Sequence, residues 1–250
     1  MNNLAVVICT SNNYISFVDN FLYFFRKNIK TNVNTKLYVV GITKNVQIEG
    51  VVTIPSFLDE NASWSDRVID GLSRIREKNI LFLTEDILFT MKSKSIHTFD
   101  DIFNLFISNE FDYLRLSPNP APTTKLTKLY GEVSPFLIYR ISMQPSLWKY
   151  DFLMSLIQRN ESIWEFEVKG SIRSRKSNKI MALTSYLIPY EEVIAGGKIT
   201  RKGYYLLKQE RLDIKGFQVK SIGEELKRFA HKLLLFPISK INFFKKYSGI

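Results

Sequence analysis

The sequence predicts an α/β fold, a mixed and mostly parallel sheet flanked by helices. Short, nearly continuous apolar runs at 4–9, 36–41, 51–54 and 79–83 read as strands buried on both faces rather than on one. The segments that precede or follow them carry apolar residues at helical spacing. Strands that alternate with helices build a largely parallel sheet.

Each element has a local cause. The first strand, 4–9, runs into Thr10, Ser11 and Asn12, which is turn and capping chemistry. A helix follows over 14–29, with Phe17, Phe21, Phe24 and Phe25 at helical spacing. Strands are expected at 36–41 and at 51–54, the latter closed by Pro55. Ser63 caps a helix over 64–78 whose Val68, Leu72 and Ile75 share one face. That helix delivers the chain into the strand 79–83, which ends abruptly in Thr84, Glu85 and Asp86. Beyond lie a helix around 101–107, a strand at 113–117 and a loop over 118–128 holding three prolines and three threonines. A strand at 135–142 and a short helix at 151–159 complete the reading.

Composition bounds the function. A chain of 250 residues with 45% hydrophobic content can bury one substantial core. The single cysteine, Cys9, sits in an apolar run, which excludes a disulfide framework and a cysteine-built zinc site and suits a reducing cytoplasm. No signal peptide or membrane-spanning run is expected, and the predicted localisation is cytoplasmic. The formal charge of +11 is uneven: residues 191–250 hold 13 Lys or Arg against 6 Asp or Glu, and Lys169, Arg173, Arg175, Lys176 and Lys179 follow one another with no acid between them. Such an excess suits ligand phosphates, an anionic membrane surface or nucleic acid, or has no specific partner. Leu226, Phe229, Ala230, Leu233 and Leu234 form one stripe of a basic amphipathic C-terminal helical tail, which would either lie on the inner face of the cytoplasmic membrane or pack on the domain or a second subunit.

Two adjacent carboxylates at the end of a buried strand are the sharpest chemical signal. The carboxyl edge of an open α/β sheet is where ligands bind, and Glu85 and Asp86 there suit a divalent cation on nucleotide phosphates, or a ribose; the alternative is a solvated turn. His97 and His231 lack partner motifs, and no Walker loop is present.

The order of parts resembles the glycosyltransferase-A fold, in particular the inverting family 2-like enzymes of bacterial capsule and O-antigen synthesis. Thr10-Ser11-Asn12 resembles their nucleotide loop. Residues 64–72 followed by Ile80-Leu81-Phe82-Leu83-Thr84-Glu85-Asp86 resemble their helix and Asp-x-Asp strand, except that one acid of the metal-binding pair is missing. The segment 139–153, continuing to Trp164-Glu165-Phe166-Glu167, resembles their acceptor half, where Ser-x-Gln-x-x-x-Trp precedes Trp-x-x-Glu. The resemblance implies a catalytic domain over 1–205, with a nucleotide-sugar half at 1–117, an acceptor half at 130–205 and the tail at 206–250. It implies transfer of a sugar from a nucleotide-sugar donor to a glycan acceptor, lipid-linked in the membrane reading, with Mn²⁺ or Mg²⁺ held by Asp86 or no metal at all, and no organic cofactor. Thr10, Ser11, Asn12, Arg67, Glu85, Asp86, Arg173 and Arg175 would bind the nucleotide sugar, and Gln144, Trp148 and Trp164 the acceptor. Glu165 or Glu167 would be the base: in an extended segment they share one face while Trp164 and Phe166 take the other. The alternative is that they pair with Lys169, Arg173 and Arg175. A basic nucleic-acid-binding or membrane-surface protein without catalysis is the rival class; it lacks a recognised nucleic-acid motif.

Overall fold

A computed structural model describes residues 3–90 and 97–227. Its strands, in chain order, are β1 (Leu4–Cys9), β2 (Thr35–Val40), β3 (Val52–Thr53), β4 (Asn79–Thr84), β5 (Ile87–Phe89), β6 (Tyr113–Arg115), β7 (Thr124–Lys125), β8 (Tyr130–Glu132), β9 (Ser146–Lys149), β10 (Ile180–Leu183), β11 (Tyr190–Glu192), β12 (Ile194–Ala195) and β13 (Lys198–Ile199). The helices are α1 (Val18–Asn28), α2 (Trp64–Leu72), α3 (Phe99–Ser108), α4 (Tyr150–Leu156), α5 (Ile163–Arg173) and α6 (Arg201–Gln209). Nine strands form one sheet in the order β3-β2-β1-β4-β9-β6-β10-β8-β7. β1 is parallel to β2 and β4, and β6 to β10; β9 runs antiparallel between β4 and β6.

The pleat explains why β1 is apolar throughout. Leu4, Val6 and Ile8 face a layer with Phe17, Phe21 and Phe25, while Ala5, Val7 and Cys9 face another with Val68, Leu72, Trp148 and Phe166. Helices α1 and α3 thus cover one face, and α2, α4 and α5 the other. Ser63 caps α2 by accepting the Asp66 amide at 3.1 Å. α6 runs across position 205, and Leu212, Ile214, Phe217 and Val219 pack on the α1 layer.

Two expected elements differ. The segment 135–142 is not a strand: Leu137 and Arg140 donate to the carbonyls three residues back, Ile141 and Ser142 donate to the hydroxyls of Ser171 and Tyr113, and Tyr139 adopts φ of 59°. Its amides find turns and side chains instead of a neighbouring strand. Nor is 164–167 extended; it is the first turn of α5, because Ser162 and Glu165 form a capping box that starts a helix there.

Candidate active site

The parallel strands all end at one edge of the sheet, and β9 begins there. Thr10 follows β1, Gly41 follows β2, Glu85 and Asp86 follow β4, Ser117 follows β6, and Gln144 precedes β9. Two larger hollows, of about 720 and 760 Å³, lie at the opposite edge. Several of their charged side chains are paired, as Lys179 is with Glu110 at 3.0 Å and Arg173 with Glu161 at 2.7 Å. Chemistry, not volume, marks the carboxyl edge.

On the β1 side, Asn12 ties two loops together. Its Oδ1 accepts from the amides of Thr43 and Lys44 at 3.0 and 3.2 Å, and its Nδ2 donates to Thr43 Oγ1 and to Glu60. Arg67 reaches back from α2 to the carbonyls of Gly41 at 3.1 Å, Glu60 at 2.9 Å and Ala62, leaving Nη2 without a partner among the described residues. Gly41 is required at this crossing: its φ is +86°, and a Cβ would lie 2.6 Å from the Thr10 carbonyl. The Ser11 carbonyl accepts the Tyr14 amide, which closes the turn.

Two carboxylates sit at the centre. Burial, and then repulsion by Asp86, pushes Glu85 well above the usual carboxylate range, with the Thr10 hydroxyl bonded to it. Asp86 is also raised, by burial first and by Glu192 on the paired strand β11, against a hydrogen bond from Thr84. Its Oδ1 is buried with no partner among the described residues. No cluster of three or more metal-ligating side chains occurs among those residues, so any cation would complete its shell with phosphate oxygens or water.

The far side holds Glu167, projecting from the second turn of α5. Its Oε1 accepts the Met143 amide at 2.7 Å, one residue before Gln144. Burial raises it to about 7, partly opposed by that bond and by the Arg115 cation. Arg115 is fully buried and donates to the carbonyls of Ser117, Tyr139 and Pro120. Gln144 accepts from the hydroxyls of Ser117 and Tyr190, and Trp164 stands 64% exposed on the first turn of α5.

Four expected residues are placed elsewhere. Glu165 caps α5 and pairs with Lys169 at 3.0 Å; these bonds hold it down at about 2, unsuited to accept a proton. Trp148 is 0% exposed, packed on Tyr113 at 4.4 Å with its indole N–H on Ser146, so it is core and offers no ring to a ligand. Arg173 makes a bidentate pair with buried Glu161 at 2.8 and 2.7 Å and lines a hollow at the opposite edge. Arg175 donates to the Pro135 carbonyl and lies 5.8 Å from the Phe136 ring. The helix explains both arginines, since six residues of α5 carry the chain about 9 Å away from Glu167. Ser117, Arg115, Tyr190 and Glu192 are site residues that sequence reasoning did not single out; Tyr190 and Glu192 carry a visible signal only as a Tyr-Glu-Glu run after Pro189.

No protein-family model matches this sequence, and no curated protein matches it. Solved structures do resemble it. S. aureus TarS 1–349 in complex with UDP has a TM-score of 0.53 at 12% identity, over 98% of this chain and 75% of that one. S. aureus TarS gives 0.51 at 13% identity, over 94% and 44%, and TarS 1–349 in complex with UDP-GlcNAc gives 0.50 at 13%, over 83% and 65%. The chain thus spans between 58% and 75% of TarS 1–349 and less than half of TarS. At such identities the likeness is one of fold: this chain has a glycosyltransferase-A-like fold, as its sequence pattern implies.

Proposed function

We propose that this chain is a glycosyltransferase that moves a sugar from a nucleotide-sugar donor to a hydroxyl of a growing surface glycan such as capsule or O-antigen, with inversion. The observation that carries the reading is Glu167: a half-buried carboxylate whose desolvation gives it near-neutral proton affinity, on the same sheet edge as a pair of acids likewise raised by desolvation. A general base works best when its proton affinity lies near the working pH. Glu167 takes the acceptor proton as the acceptor oxygen bonds to the sugar and the bond from sugar to diphosphate breaks. The binding of UDP and UDP-GlcNAc by TarS, whose fold this chain shares, supports a nucleotide sugar as donor.

Thr10, Ser11, Asn12 and Arg67 receive the nucleotide, Arg67 through its unspent Nη2. The buried orphan oxygen of Asp86 fits a divalent cation, Mn²⁺ or Mg²⁺, which when bound would neutralise the diphosphate. Glu85 and Asp86 otherwise hold the ribose or donor sugar. Trp164 and Gln144 serve the acceptor. The rival nucleic-acid reading loses support because the basic run is used internally: Lys169, Arg173 and Lys179 pair with Glu165, Glu161 and Glu110.

Thermal shift tests the reading. At a hundredfold excess over Kd, UDP should stabilise the protein by about 2.7 kcal/mol, or roughly 5–10 °C at this chain length. Mn²⁺ should enlarge the shift for the native protein and not for Asp86→Asn. Because the Asp86 proton affinity is raised by burial, its charged form opposes folding at pH 7–8, so Asp86→Asn should melt no lower than the native chain there. No stabilisation by UDP or by any of a panel of nucleotide sugars would overturn the proposal.

A further inference from the structure

The strand β11 and the loop before it place two tyrosines over the end of β9. Tyr190 is packed on buried Phe89 with ring centroids 6.5 Å apart, and its hydroxyl donates to Gln144 Oε1 at 3.0 Å. Ser117 Oγ donates to the same oxygen. Two hydroxyl donors on one amide oxygen fix which way the amide faces. Gln144 Nε2 therefore points away from both, has no partner among the described residues, and is not among the buried orphan atoms, so it keeps some exposure to solvent.

Outside this pair stands Tyr186, 48% exposed, with its ring 5.8 Å from Tyr190 at 70°. The loop that carries it is anchored at both ends: Thr184 bonds to the carbonyls of Leu129 and Lys128, and the Pro189 carbonyl accepts the Thr90 amide. A half-exposed aromatic ring beside a fixed pair of N–H donors suits a pyranose, whose apolar face lies on the ring while its hydroxyls accept hydrogen bonds.

We propose that Tyr186, Tyr190 and Gln144 form a sugar-binding subsite for the acceptor glycan, with Ser117 as the residue that orients the amide. The assignment to acceptor rather than donor rests on the transferase reading and on position. In the sheet order, β9, which Gln144 precedes, stands two strands from β1, or about 10 Å at the usual strand spacing, and β10, which feeds the loop, lies two strands further. A sugar bound at Gln144 is therefore set apart from a nucleotide held at the Thr10 and Asn12 loops. Gln144, two residues before β9, is one strand from Asp86 and directly follows Met143, whose amide Glu167 accepts, so a sugar hydroxyl bound there lies at the edge that carries the carboxylates.

Saturation-transfer NMR on the full chain, with and without UDP, against methyl glycosides of glucose, galactose and N-acetylglucosamine tests this. At least one glycoside should receive transfer, about tenfold less in Tyr186→Ala, as expected for the loss of one stacked ring, and less in Tyr190→Phe, which keeps the stack but frees Gln144. Neither variant should change the thermal shift with UDP. Transfer that is unchanged in Tyr186→Ala, or absent in the native chain with every glycoside, overturns the subsite. If UDP fails to stabilise while transfer is still lost in Tyr186→Ala, the subsite stands and the transferase reading falls.

Discussion

Two glutamates separated by one residue, Glu165 and Glu167, meet opposite environments because a helix turns about 200° over two positions. Glu165 looks back along the axis to the Ser162 amide and sideways to Lys169; Glu167 looks into the protein, toward the Met143 amide. Glu167→Gln should cut turnover by roughly 10²-fold or more, the usual contribution of a general base. Glu165→Gln should change turnover less than twofold and lower the melting temperature by about 2–4 °C through a weaker cap. Stability against pH separates them further. The folded state raises Glu167 from 4.5 to about 7, so it favours the protonated acid; that contribution is complete below 4.5 and is lost as pH rises through 7. Glu167→Gln, which stays neutral, should melt higher than the native chain at pH 8, by up to about 3 kcal/mol, with the gap closing towards pH 5. A less stable Glu167→Gln at pH 8, or near-native turnover, would remove Glu167 as the buried base.

Helix α2 is the element whose seating sets the nucleotide side. It brings Arg67 to the Gly41 carbonyl and the Trp64 indole to Cys9 Sγ at 3.3 Å, and it lies close to β2 because Gly71 has no side chain. A Cβ on Gly71 would meet Val40 Cβ at 2.9 Å and Cγ1 at 3.0 Å. Helix propensity alone would make Gly71→Ala stabilising by about 1 kcal/mol, whereas overpacking costs about 1–3 kcal/mol. Both contact atoms sit at or next to the branch point of a β-branched, fully buried residue at the end of β2, so the clash wins. Gly71→Ala should unfold at lower denaturant and bind UDP more weakly as Arg67 moves with the helix; a more stable variant would mean that α2 shifts without strain.

For the whole molecule, the distribution of charge is the open functional question. No helix among the described residues is long and apolar enough to cross a membrane. Phe217 packs on Phe17 at 5.3 Å and Asn20 donates to the Asp213 carbonyl, so the chain through 219 packs against the core. Ile222 and Leu226 are exposed; Phe229, Ala230, Leu233 and Leu234, which continue the expected stripe, lie outside the described residues. Residues 228–250 contain five Lys or Arg and no acid. At about 1 kcal/mol for each basic residue near an anionic surface, this segment should bind acidic vesicles and release them as salt rises. Removing 228–250 should abolish vesicle binding, slow transfer to a lipid-linked acceptor and leave the melting temperature within about 2 °C. Vesicle binding that survives truncation would place the membrane contact elsewhere, and loss of a dimer would assign the stripe to a subunit interface.

By itself the sequence determined what depends on local pattern: the two-sided burial of β1 and β4, the α2 cap at Ser63, the arrival of Glu85 and Asp86 at the carboxyl edge of the sheet, and a glycosyltransferase-A-like fold. These follow from period, capping and run length, which a few adjacent residues encode. Only the tertiary structure decided which polar groups are free to act. Arg173 became a partner of Glu161, twelve positions away, and Trp148 went into the core against Tyr113. Glu167, Ser117, Gln144 and Tyr190 came together from α5, β6, β9 and β11 at one edge. Burial depends on contacts between segments far apart in the chain, and the desolvation of Glu167, against the local cap and ion pair of Glu165, gives opposite proton affinities to two carboxylates alike in sequence context.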